Sequence, residues 1–377
     1  MSKFSELVPE RIRALGGYVP GKPIKQAEAE CGVKCIKMAS NENPFGPSPR
    51  AMEAMQAATH DVHLYPDNEV TELKTRLAEM NGLKPDQVMI TAGSTTFLDI
   101  IARTLLAPGL NAITCERSFI VYPIVTRAAG AEFRQVPLKN DTFDLDAIAD
   151  AIDSNTRVVF IANPNNPTGT IVTAEETDRF LARIPDHVCV VLDEAYYDFA
   201  TYFAGERQVN YSHSLDYVRQ ERNVVVLRTF SKAHGLAAVR VGYGFGPAEL
   251  LGYFARLRTA FMVSSLGEAA ALAALEDKAH LQRALINNAE GVKWMTAKLM
   301  EMGYNPIQTW ANFVCCEMGE DAAALAKRLQ DEGIIVRPLG GPWGARTAIR
   351  VTIGTPEQNQ RFLSALKKVT ASVTVNS

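Results

Sequence analysis

Short β-branched runs that are apolar at nearly every position, each followed by a helical stretch, most narrow what this chain can fold into. Val88-Met89-Ile90-Thr91 precedes a helical pattern over 96–106, which is followed by Ala112-Ile113-Thr114. The rhythm continues through 157–161, 188–192 and 224–227. A strand apolar on both faces needs cover on both, and short strands alternating with helices supply it as βαβ units. The pattern predicts an α/β protein whose large domain, residues 46–260, is a mostly parallel sheet between helix layers. After Pro247 the text turns helical to about Met302. Phe313-Val314-Cys315-Cys316, a helix near 322–331, Ile334-Ile335-Val336 and Ile349-Arg350-Val351-Thr352 follow. That reads as a smaller α+β C-terminal domain, 261–377. The first 45 residues, with Pro20-Gly21-Lys22-Pro23 and Asn43-Pro44-Phe45-Gly46-Pro47, read as an irregular N-terminal arm.

Composition narrows the function classes. With 47% hydrophobic and 21% charged residues over 377 positions, the chain has the balance of a folded soluble protein. A formal net charge of −3 without any block of like charges leaves no electrostatic footprint for nucleic acid. The apolar stretches fall short of the roughly 18–20 residues that span a bilayer, so no membrane segment is expected. Met1 to Glu6 carries no apolar run of the secretory kind, which makes the cytoplasm the expected compartment. Cys31, Cys35, Cys115, Cys189, Cys315 and Cys316 lie scattered in apolar segments and read as small core residues of a reduced protein. Cys31 and Cys35 lack a second pair at zinc-ligand spacing, and His60 and His63 lack a third ligand.

In open parallel sheets ligands bind beyond the carboxyl ends of the strands, so the residues just after each buried run are the candidates. The run to Ile161 is followed by Asn163-Pro164-Asn165-Asn166-Pro167-Thr168-Gly169. That to Leu192 leads into Asp193-Glu194-Ala195-Tyr196, and that to Leu227 into Thr229-Phe230-Ser231-Lys232. Ahead of them Gly93-Ser94-Thr95 closes a strand and opens a helix, giving a tight turn with free N–H groups that suits an anion. Alone, each has a plain reading as a turn, a helix cap or a solvated lysine. Four of them in this order line one crevice.

At these residues the sequence resembles the fold-type I pyridoxal-phosphate aminotransferases. Thr229-Phe230-Ser231-Lys232, with Arg240 eight residues beyond the lysine, is similar to their lysine signature. Within that superfamily the chain most resembles the histidinol-phosphate aminotransferases, on Asn41-Glu42-Asn43-Pro44-Phe45-Gly46-Pro47, Tyr65-Pro66-Asp67, Asn163 to Gly169, Asp193 to Tyr196 and Arg350 to Gly354. The likeness covers nearly the whole chain. It implies pyridoxal 5'-phosphate as cofactor, with Lys232 forming the Schiff base and moving the substrate's α-proton, and Asp193 keeping the ring nitrogen protonated. It implies that Asn166 and Tyr196 bind the ring oxygen and that Phe119 stacks on the ring. The phosphate falls to Gly93, Ser94, Thr95, Thr229, Ser231 and Arg240, and to Tyr65 reaching in from a second subunit. For the substrate it implies Arg350 on the carboxylate, Arg337 on the side chain, Asn43, and Tyr18 from a partner's arm. The implied partners are an amino acid, a 2-oxo acid and a second copy of the chain, as a homodimer with shared sites.

Three residues depart from the family pattern. Thr95-Thr96 stand where an acidic pair is usual, and His234 where an aromatic is common. Leu339-Gly340-Gly341-Pro342-Trp343-Gly344 puts a bulky apolar loop between the two arginines, which favours aromatic amino acids as an alternative substrate class, for an aromatic or broad-specificity aminotransferase. A decarboxylase would keep the same cofactor residues. Other classes fit less well. Gly242-Tyr243-Gly244-Phe245-Gly246-Pro247 has the wrong spacing and place for a dinucleotide loop and reads as strand and turn. The N-terminal 45 residues leave no room for a DNA-binding module.

Overall fold

The computed structural model describes residues 3–17 and 20–374. Seven strands form the main sheet: β2 (Val88–Thr91), β3 (Asn111–Cys115), β4 (Glu132–Val136), β5 (Thr156–Ala162), β6 (Cys189–Asp193), β7 (Val224–Thr229) and β8 (Gly242–Phe245), in the order β2-β8-β7-β6-β5-β3-β4; the short β1 (Ile36–Lys37) lies outside it. Only β8 runs antiparallel to its neighbours, so the sheet is mostly parallel, as the apolar runs predict. Val158–Ile161, Val190–Leu192 and Val224–Leu227 are buried in one apolar cluster with Phe97, Leu98, Ile100 and Ile101 of the helix Ser94–Leu105. Burial of this kind, about 25 cal/mol per Å², is what holds such a layer together.

Register then sets the crevice. Ala162 pairs with Asp193 and Asp193 with Leu227, so three parallel strands end nearly level. Their following residues emerge side by side.

Four strands belong to the C-terminal part: β9 (Phe313–Glu317), β10 (Ile334–Ile335), β11 (Arg337–Pro338) and β12 (Ala348–Thr352). β11, β12 and β9 form an antiparallel sheet in that order. The helices Lys278–Glu301, Ala322–Asp331 and Pro356–Thr374 bury Val292, Met295, Leu325, Leu329, Phe362 and Leu366 in a second cluster with β9 and β12.

Part of the segment expected to be irregular is not. Ile24–Cys31 is a helix closed by Gly32 in the left-handed region, and β1 pairs in parallel with β10. Proline and glycine at Pro20 to Pro23 punctuate the segment, while β1 depends on a partner strand almost 300 residues away, which local pattern does not reveal.

β8 carries glycine for a steric reason. A Cβ on Gly242 would lie against the backbone of Gly93 and Ser94, and one on Gly244 against the Phe97 ring. Without side chains there, the N-terminal part of the helix Ser94–Leu105 settles directly on β8. Gly242→Ala therefore lowers the unfolding free energy, by about 1–3 kcal/mol in chemical denaturation, through forced displacement of that turn.

Candidate active site

Beyond the level strand ends lies a cavity of about 260 Å³. Its walls include Ser94, Thr95, Phe119, Asn166, Asp193, Tyr196, Thr229, Ser231, Lys232, Arg240, Arg337 and Arg350. Twelve of the residues singled out in the sequence thus meet in one place, with Ser40, Asn41, Glu42, Ile120 and Trp343 among the others lining it.

Asp193, the last residue of β6, is buried there. Its Oδ2 accepts from the Tyr122 hydroxyl at 2.9 Å, while Oδ1 is buried without a hydrogen-bond partner among the described residues. Burial pushes its carboxyl up to about 6, against the lowering effect of the Tyr122 hydrogen bond. An unpaired buried carboxylate oxygen is costly unless a ligand brings a donor or a cation. Lys232 follows β7, and its Nζ donates to the Ser40 carbonyl at 3.1 Å. Burial, with the Arg350 guanidinium second, lowers the amine to about 8, so a sizeable fraction is neutral near physiological pH.

One side of the cavity is built for an anion. Gly93, at φ 86°, caps the helix Ser94–Leu105, whose first N–H groups have no acceptor within the helix. Arg240 itself adopts a positive φ of 56° and lays its guanidinium against Gly93, where a Cβ would collide with it. It also donates to Ser231 Oγ at 3.3 Å and to the Ala237 carbonyl at 2.9 Å. Thr229 Oγ1 donates to Ser231 Oγ at 3.0 Å, fixing that hydroxyl.

On the opposite side Arg337 and Arg350 stand directly across from each other in the antiparallel β11–β12 pair. Arg350 is buried and donates to Asn166 Oδ1 and to the Ala39 carbonyl. Arg337 lies over the Trp343 ring, 4.9 Å from its centroid. Tyr196 accepts a hydrogen bond from Asn41 Nδ2 at 2.8 Å. Phe119 meets Tyr122 edge-on at 5.6 Å, and Tyr122 stacks on Phe160 at 4.8 Å.

Of the other singled-out residues, three described ones stand apart from the cavity lining. Gly93 contributes as the cap just described. Asn43 is turned away: its Nδ2 donates to the Ala233 carbonyl at 2.7 Å and its Oδ1 caps Phe45, so it braces the residue next to Lys232 and lines a different cleft. Tyr65 is 82% exposed and stacked on Phe261, with centroids 4.6 Å apart. Tyr18 lies outside the described residues. Sequence reasoning gave no role to Tyr122 or Asn41. Tyr122, three residues after Phe119 at the start of a helix, shares its side, which was the available signal.

Comparison with known proteins places the chain in a family. The profile of aminotransferase class I and II matches residues 33–366. The chain belongs to that family. Histidinol-phosphate aminotransferase 2 of Pseudomonas fluorescens strain Pf-5 is 45% identical over 371 residues, covering 98% of each chain. A protein of the same name from Pseudomonas aeruginosa is 44% identical over 98% of this chain and all of its own. The structure of histidinol-phosphate aminotransferase from Sinorhizobium meliloti in complex with pyridoxal-5'-phosphate superposes with a TM-score of 0.88 at 28% identity, over 97% of this chain and 98% of that one.

The chain is accordingly an aminotransferase of the fold-type I class, and its residues fit pyridoxal 5'-phosphate. An orphaned buried carboxylate oxygen suits a ring N–H, a glycine-capped helix with Arg240 suits a phosphate, and a partly neutral lysine suits an aldehyde. Among the described residues no cluster of three metal-ligating side chains occurs, and no helix is long and apolar enough to cross a membrane.

The Asp193 shift has a sign that can be measured. Its folded value, about 6, lies above the unfolded value near 4, so the penalty is absent below about pH 4 and grows as pH rises through 6. Asp193→Asn raises the melting temperature of cofactor-free protein at pH 7, corresponding to about 2–3 kcal/mol, and the gain over wild type disappears near pH 4.

Proposed function

We propose that this aminotransferase acts on histidinol phosphate, exchanging its amino group with 2-oxoglutarate to give imidazole acetol phosphate and glutamate, a step of histidine biosynthesis in the cytoplasm. The observation that carries the reading is the register of Arg337 against Arg350, which delivers two guanidinium groups to one cavity. Each substrate of this exchange brings either a phosphate ester or two carboxylates, and the planar fork of arginine matches carboxylate and phosphate oxygens alike. The names of the relatives that match nearly end to end support the same choice.

Each residue then has a task. Pyridoxal 5'-phosphate, when bound, supplies the electron sink that stabilises the carbanion left when the α-proton departs. Lys232 Nζ would hold the cofactor through its aldehyde, and as a free amine it is placed to take the proton from the α-carbon of the amino donor and to return one to the α-carbon of the oxo acid. The lowered pKa leaves that nitrogen able to act as a base. Asp193 Oδ1 keeps a proton on the ring nitrogen, and Tyr122 holds the carboxylate in place through Oδ2. Asn166 and Tyr196 would serve the ring oxygen and Phe119 the ring face, all three lining the cavity. Gly93, Ser94, Thr95, Thr229, Ser231 and Arg240 hold the phosphate. Arg350 takes a carboxylate of glutamate or 2-oxoglutarate, and Arg337 the phosphate ester of histidinol phosphate, which carries no carboxylate of its own. Asn43 acts at one remove, by bracing Ala233 beside the lysine.

The active form is a homodimer with shared sites. Val62, Leu64, Tyr65 and Phe261 expose apolar area together on the surface, which a second copy would cover. Tyr65 then reaches the partner's cofactor phosphate. Two inactive variants test this: Lys232→Ala and Tyr65→Ala, co-refolded as mixed dimers, regain activity because one of the two sites carries neither change. No recovery above the sum of the separate variants removes the shared site.

The reaction itself is tested by a half-reaction titration. Addition of histidinol phosphate to the loaded enzyme bleaches its yellow absorption at lower concentration than phenylalanine, tyrosine or leucine does; preference for the aromatics moves the enzyme to aromatic amino-acid metabolism. Arg337→Ala raises the KM for histidinol phosphate by about tenfold or more while leaving phenylalanine nearly unchanged, as expected when a charged hydrogen bond to one substrate is removed.

A further inference from the structure

Trp343 lies in the loop that follows β11, in a short turn Gly341–Trp343 closed by Gly344 in the left-handed region. The turn is fixed at its base by backbone bonds from Leu339 N to the Ala348 carbonyl and from Ala345 N to the Leu339 carbonyl. The body of the indole is packed with Ile120, Cys315, Leu339 and Ala348 in a small apolar cluster of its own. The residue is only 7% exposed and lines the same cavity as Arg337 and Arg350. Its single polar atom, Nε1, is buried with no acceptor among the described residues.

A buried indole N–H almost always finds an acceptor, because leaving it dry forfeits the bond it made to water. Its own loop gives none here. The ring face is already used by the Arg337 guanidinium, 4.9 Å from its centroid, so the neighbourhood is electropositive and an incoming acceptor is anionic. Resting on the assignment of a phosphorylated amino donor, we propose that Trp343 is a specificity-determining residue whose indole N–H donates to the substrate's phosphate monoester, beside the charge supplied by Arg337. The pairing divides the labour. Arginine attracts any anion, whereas the neutral N–H has a fixed direction and is satisfied only by a substrate that places an oxygen there. An amino donor lacking that group leaves the N–H unpaired and is selected against. The loop that looks hospitable to aromatic side chains thus discriminates against them.

Two substitutions separate this from a packing role. Trp343→Phe keeps a ring against Arg337 and removes the donor; Trp343→Leu removes both. Calorimetric titration of the holoenzyme with propyl phosphate, which carries the ester but no amine, reads the contact without turnover. The expected result is binding about tenfold or more weaker to Trp343→Phe than to wild type, with unchanged cofactor absorbance and melting temperature. In turnover, Trp343→Phe raises the KM for histidinol phosphate by a similar factor, leaves kcat within about twofold, and leaves kcat/KM for phenylalanine equal or higher. Equal propyl phosphate affinity in wild type and Trp343→Phe, with loss only in Trp343→Leu, overturns the proposal and leaves the ring as a support for Arg337. A parallel loss for phosphorylated and unphosphorylated donors overturns it as well. If wild type treats histidinol phosphate and histidinol alike, the substrate assignment fails, and the propyl phosphate comparison still decides the role of Trp343.

Discussion

Asn41 joins the parts of the cavity to one another. Its backbone N–H donates to Thr352 Oγ1, its carbonyl accepts from Asn312 Nδ2, its Oδ1 accepts from Thr352 Oγ1 and its Nδ2 donates to the Tyr196 hydroxyl. It is buried and holds a positive φ of 57°, a conformation that asparagine tolerates better than most residues. One residue, through its backbone and its side chain, thus ties the end of the main sheet to β12 and to the residue before β9. The two residues before it extend the same function through their backbone: the Ala39 carbonyl accepts from Arg350 and the Ser40 carbonyl from Lys232. The positions of Lys232, the Tyr196 phenol and Arg350 all depend on this short crossing segment. Such a network is worth most when every member is satisfied, because the alternative is a set of dry polar groups.

Charge in the cavity is arranged by the same economy of position. Two carboxylates, Asp193 and Glu42, share the cavity lining with four cationic side chains, Lys232, Arg240, Arg337 and Arg350. The Arg350 and Arg240 charges also help depress Lys232, after burial, so the cations that suit an anion and the lowered amine come from one feature. Below the cavity a second, closed pair keeps the strand ends in register. Arg228 on β7 meets Glu194, just after β6, at 2.8 Å, both buried, and the guanidinium lies 3.3 Å from the Tyr197 ring centroid. Breaking such a pair by removing one partner costs on the order of 3–5 kcal/mol, since the other charge stays buried.

The sequence made much of this legible, and its omissions share a cause. Strand-end residues such as Asp193, Thr229 and Lys232 stand out because buried parallel strands have a compositional signature and ligands gather at their carboxyl ends. The cap at Gly93 is visible as a glycine between a strand and a helix. Arg337 and Arg350 were found by family resemblance, but their being opposite each other is a matter of β-register that no local pattern records. Asn41 and Tyr122 passed without a role because their partners are 155 and 71 residues away. Asn43 shows the reverse: it sits inside a recognisable motif, yet its amide serves the Ala233 carbonyl rather than the cavity.

By itself the sequence determined the layered α/β fold, the line of reactive side chains at its strand ends and the family that carries them. Periodicity and burial act over a few residues, and a chain can state them locally. Tertiary structure decided which of those groups share a hydrogen bond, which carboxylate oxygen is left for a ligand, and which way the Asn43 amide and the Trp343 indole are committed. Those outcomes depend on segments hundreds of residues apart arriving at one point, where removal from water makes each unpaired polar atom count.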